Sequence, residues 1–226
     1  MSEENNNDRI FINNPDLGYE KYKTMRDGIW QMYIDYSICE LPVDVEAIAA
    51  NLNVKVYSYP RAKDMISHFG LDGYISDKVA IALYTDRWYL LYNSDTQYEY
   101  IVNFALAHEL GRILMRQKFT AQKAKYFTVY YSGGYVCSDG FSGSTDAQDS
   151  EAAQFAARLL APSAVLWGLG VTDAEEILRL TGLPERCAIS RAERMEVLMS
   201  RGAFLKSPLE KKAFDGFKDF IDKNKF

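Results

Sequence analysis

FALAHELGRILM, residues 104–115, is almost entirely apolar apart from His108, Glu109 and Arg112. The helical pattern around it extends from Thr96 to about Arg116. Ile101, Val102, Phe104, Leu106, Leu110, Ile113 and Leu114 leave that helix almost no polar side, which predicts burial. Polar or charged side chains persist inside a core only when they are paired or coordinated. The three interruptions therefore mark a candidate site.

Their order sharpens the expectation. His108 and Glu109 open an HExxH-type helix, and the position of the second histidine holds Arg112. Residues four apart share a helix face, so two imidazoles at this spacing can reach one tetrahedral zinc, with the intervening glutamate activating a metal-bound water. A guanidinium stays protonated and has no lone pair to donate. As a coordination site the motif is half complete.

Working outward, the Asn-rich, polar residues 1–16 read as a flexible arm, and Tyr19 to Tyr36 carries apolar residues at helical spacing, with a helix starting near Leu17. LPVDVEAIAANLNVKVYSY predicts a turn, a helix over 44–52 with an acidic N-cap, and a strand over 54–59. Further strands are expected at 72–76, 78–83 and 87–93, making a small antiparallel or mixed sheet. Residues 117–149 form a long Gly-, Ser- and Tyr-rich connection, a lid or an ordered excursion.

Asp149 or Ser150 then caps a helix that Pro162 stops, on which Glu151, Phe155 and Leu159 share a face. Thr172 with Glu175, and Ser190 with Glu193, have capping-box spacing and mark two short helices. Leu209, Ala213, Phe217 and Phe220 fall on one stripe of a C-terminal amphipathic helix over 206–226. That stripe is expected to dock on its own domain. The domain division is thus an arm over 1–16, one domain over 17–205, and the C-terminal helix.

Composition bounds the class. With 48% hydrophobic and 14% aromatic residues, 226 residues can bury a real core. A net charge of −5 argues against nucleic acid as a general partner, although a local basic patch is compatible with it. Cys39, Cys137 and Cys187 are odd in number, far apart and form no CxxC pair, which suits a reducing cytoplasm. No stretch approaches the ~18 apolar residues of a membrane span. A soluble protein is expected, with no membrane partner.

Four segments in order carry a family resemblance: 41–56, the YLLYNSD strand at 89–95, NFALAHELGRILM at 103–115 and EAAQFAARLLAP at 151–162. Together with ISRAERMEVLMSRG at 189–202, they resemble the ImmA/IrrE family of small zinc metallopeptidases over roughly residues 25–202. The resemblance implies an α+β, zincin-like fold: N-terminal helices, a small sheet, a buried HExxH-type helix and a C-terminal helical part. It implies zinc as cofactor, with His108 as first ligand, Glu109 as general base and Glu151 as third ligand. It also implies a protein partner, a helix-turn-helix repressor of a phage or mobile element, or an antitoxin. Arg112 departs from the pattern and puts zinc affinity in doubt.

Three explanations of Arg112 stay open. Its guanidinium can occupy the zinc position and pair with Glu151 or Glu109, in a decayed site. Another residue, among Asp149, Cys137, Asp146 and His68, can complete the metal site. Or the arginine is an accidental change in a working enzyme. A Cys137–His108 nucleophile is a weaker reading, as nothing in the sequence juxtaposes the two. Two functions follow: a zinc endopeptidase, or a catalytically impaired regulator that binds its partner without cutting it.

Overall fold

The computed structural model describes residues 18–73, 75, 78–95, 99–115, 123–124, 127–131 and 147–225. It is α+β, and by internal contacts it divides into two compact units, residues 44–156 and residues 1–43 with 157–226. The division cuts through the segment 17–205 that the sequence groups as one domain. The proposed arm over 1–16 lies outside the described residues.

The chain enters through α1 (Gly18–Asp35). The unit of residues 44–156 then begins with α2 (Val45–Asn51), where Asp44 accepts a hydrogen bond from the Ala47 N–H at 3.0 Å and so caps an orphan donor. Strand β1 (Lys55–Ser58), helix α3 (Lys63–His68), and strands β2 (Ala80–Tyr84) and β3 (Trp88–Tyr92) follow. Next come α4 (Glu99–Leu114), β4 (Lys123–Ala124), β5 (Phe127–Tyr131) and α5 (Ala147–Leu160), whose residues up to Ala156 belong to this unit.

The sheet order is β1-β3-β2-β5-β4. β1 runs parallel to β3 while the other pairings are antiparallel, so the sheet is mixed. Register places Ile81 opposite Leu91 and Leu83 opposite Tyr89. Because strand side chains alternate, Ile81, Leu83 and Leu91 share one face, and there they pack with Ala62, Ile66, Leu71 and Ile75. The other face presents Ala80, Ala82 and Leu90, all fully buried, and α4 lies against β2 and β3. Alanines on that face let a bulky apolar helix approach the strands.

Several local expectations shift. Asp72 and Gly73 sit in a turn rather than in a strand, since the Leu71 carbonyl accepts from Ile75 and closes the chain on itself. Helix α3 and strands β4 and β5 were not expected. The latter two fall inside the 117–149 connection, whose remaining parts to residue 146 lie outside the described residues.

The second unit contains α1, the end of α5, and five more helices: α6 (Ser163–Leu169), α7 (Ala174–Thr181), α8 (Glu185–Ser200), α9 (Pro208–Gly216) and α10 (Lys218–Asn224). Helix α7 is capped by Asp173, which accepts from the Glu176 N–H at 2.9 Å, one residue later than the Thr172 box predicts. Gly182, at φ 66°, closes it in the left-handed region. Ser190 and Glu193 do not start a helix. They lie within α8, which begins after Pro184.

The C-terminal segment forms two helices instead of one, broken at Phe217, which ends α9 and precedes α10. Part of its apolar stripe docks as expected: α9 packs on α1, with Ala213 and Phe217 buried and Leu209 and Phe220 half-buried, while Ile221, outside that stripe, is buried as well. The Phe217 ring meets Tyr33 edge-on at 5.4 Å, and Tyr33 Oη donates to the Leu159 carbonyl at 2.6 Å. No helix among the described residues is long and apolar enough to cross a membrane. Phe217→Ala should lower the unfolding free energy in urea by about 3–5 kcal/mol, whereas the exposed Lys212→Ala should change it by less than about 0.5 kcal/mol.

Candidate functional site

Helix α4 carries its polar residues into the core. His108 is 2% exposed, Glu109 0% and Arg112 3%, so burial of all three holds as the apolar pattern predicts. His108 Nδ1 lies 3.3 Å from Glu109 Oε1. The second carboxylate oxygen, Glu109 Oε2, is buried and accepts no hydrogen bond among the described residues.

Glu109 was one of two carboxylates expected to meet Arg112. Among the described residues no ion pair joins them, because the Glu109 carboxylate is turned to His108. Arg112, His108 and Glu151 each take part in further polar, ring or charge interactions.

Glu151 is half-buried in the first turns of α5. Four residues further along α5, Phe155 meets α4 in a close helix crossing. A Cβ placed on Gly111 would stand 2.5 Å from Cδ1 and 3.1 Å from Cβ of Phe155, so only glycine permits this approach. Glu151 precedes Phe155 by four residues and shares its face, while Arg112 and His108 lie one and three residues from Gly111. Candidate residues on both helices thus fall within about one turn, roughly 6 Å along the axis, of the crossing.

The remaining candidates separate. His68 ends α3 exposed, its ring edge against Phe69 at 4.9 Å, and shares none of the burial of His108. Asp149 lies in α5, but its side chain, together with Cys137 and Asp146, lies outside the described residues. Cys39 is exposed and Cys187 buried, both as free thiols.

Among the described residues no group of three His, Cys, Asp or Glu side chains could hold a metal ion. A zinc site of the expected kind needs three protein donors and an open position. The described donors, His108 and Glu151 with a guanidinium at residue 112, do not make that set. What the arrangement offers is a buried cation and carboxylates on two helices in backbone-close contact. No family model, curated protein or solved structure matches the chain.

Sequence reasoning passed over a second concentration of chemistry, the arginines of α8. Their signal was legible: Arg191, Arg194, Leu198 and Arg201 fall at i, i+3, i+7 and i+10, one helical stripe.

The crossing can be tested directly. Gly111→Ala gains helix propensity of about 1 kcal/mol, yet the forced shift of Phe155 should outweigh it and leave a net loss of about 1–2 kcal/mol in denaturant unfolding. In the Gly111→Ala background, Phe155→Leu should cost less than it does alone. Strictly additive losses would show that the two side chains do not meet.

Proposed function

We propose that the chain is a regulatory protein on an ImmA/IrrE-like, zincin-like scaffold, catalytically impaired at the metal position, which acts by holding a protein partner. The partner class that the resemblance suggests is a helix-turn-helix repressor or an antitoxin. A cytoplasmic setting fits the scattered free cysteines.

One observation carries the reading: Arg112 is 3% exposed on the HExxH-type helix, so its permanent charge cannot be turned away to solvent. A buried cation within a turn of the helix crossing supports a site where a fixed charge stands in place of a metal. The same charge opposes a divalent ion electrostatically, even where two donors remain. Partner binding needs only the shape and charge of the surrounding surface. Peptide hydrolysis needs a polarised water as well, which a guanidinium cannot generate.

Zinc content decides between this reading and a zinc endopeptidase. Wild-type protein, purified with zinc present and dialysed, should retain far less than about one zinc per chain by atomic absorption, and Arg112→His should raise zinc affinity by about a hundredfold or more. Retention of about one tightly bound zinc by wild type would overturn the proposal in favour of the peptidase, with ligands from beyond the described residues. A wild type and an Arg112→His variant that are both zinc-free, although folded, would remove the metallopeptidase ancestry itself.

A further inference from the structure

The unit of residues 1–43 and 157–226 contains a cavity of about 570 Å³ lined by α1, the last turns of α5, the start of α6, α8, and the segment leading into α9. This volume lies within the ~300–1,000 Å³ usual for small-molecule sites. Its lining concentrates positive charge in a chain whose net charge is −5. Five arginines (Arg26, Arg158, Arg191, Arg194, Arg201) and two lysines face the single carboxylate of Glu210.

Part of that charge has a partner in the protein, and part does not. Arg26 is bound to Asp27 at 2.8 Å, and Glu210 Oε2 accepts from the Lys206 backbone N–H at 2.9 Å. Among the described residues Arg194 and Arg201 make no ion pair. Arg191 is the fixed element. It is 9% exposed, and its Nε and Nη2 both donate to the Ala161 carbonyl, with Nε at 2.7 Å.

That grip orients the guanidinium, whose other N–H groups have no acceptor among the described residues. Burial, with Arg158 and Arg194 adding repulsion, presses its pKa down to about 9, which still leaves it charged at neutral pH. Like charges gathered around a cavity raise the energy of the empty site and are relieved by an anion.

We propose that this cavity binds a compact polyanion carrying two or more phosphate groups. A monocarboxylate would cancel one charge of many, whereas a diphosphate presents several oxygens to planar guanidinium forks. The walls also include Trp30 and Phe204, aromatic faces on which the base of a nucleotide could stack. Concavity favours a small molecule over an extended nucleic-acid strand, which needs a longer basic track. The proposal does not rest on the function assigned to α4.

Calorimetric titration of the full chain with pyrophosphate and with ADP tests it. One saturable site is expected for both, and tighter ADP binding would show that the aromatic wall contributes. The doubly substituted Arg194→Ala/Arg201→Ala protein, changed only at exposed side chains, should unfold at nearly the parent temperature and bind at least tenfold more weakly. Lys211→Ala/Lys212→Ala, outside the cavity, should bind as the parent does. The proposal is overturned by the absence of saturable binding at millimolar ligand in folded protein. Equal affinity in the arginine double variant would overturn it too, as would stronger binding to single-stranded oligonucleotides that grows with their length.

Discussion

Burial of α4 is the constraint on which residues 44–156 depend. A sixteen-residue helix with almost no polar side cannot stand against water, and the chain surrounds it. Helix α2 packs beside it, and strands β2 and β3 lie beneath it. The small residues Ala80 and Ala82 on the sheet and Gly111 on the helix set how closely these elements can approach. Three polar side chains are carried into the interior as a consequence, at a desolvation cost that only specific partners offset.

The same constraint gives Arg112 its weight. On a surface helix an arginine at this place would cost little, because the side chain could reach solvent. On α4 it is a fixed charge inside a dense region, one residue from the contact with Phe155. A guanidinium there can donate hydrogen bonds and carry charge, but it has no lone pair for a metal. The other unit shows the complementary case, where Arg191 is buried but anchored to a backbone carbonyl beside an open cavity.

Legibility followed the strength of the local signal. The elements now labelled α1, α2, β1, β2, β3, α4 and α5 were all predicted within a few residues, since each has strong periodicity or a capping residue such as Asp44. Helix α3 and strand β4 were missed because six and two residues are too few for a pattern to rise above local composition, and β5, as long as β2, was missed inside a segment whose Gly, Ser and Tyr content reads as a connection. The Ser190 capping box failed because the same spacing also occurs inside a helix, where a preceding proline had already set the start. The tail's stripe was read correctly, but its break at Phe217 was not.

The sequence by itself determined that His108, Glu109 and Arg112 are buried on one helix, because seven large apolar neighbours leave no solvent face. It also determined the mixed character of the protein, with strands and helices of distinct period. Only the tertiary structure decided which long-range neighbours those residues receive. Helix α5 approaches at Gly111 through Phe155, Glu109 turns to His108 instead of Arg112, and arginines distant in sequence line one cavity. The physical reason is that periodicity fixes which face of an element avoids water, whereas the partner that covers that face is chosen by the packing of segments far apart in the chain.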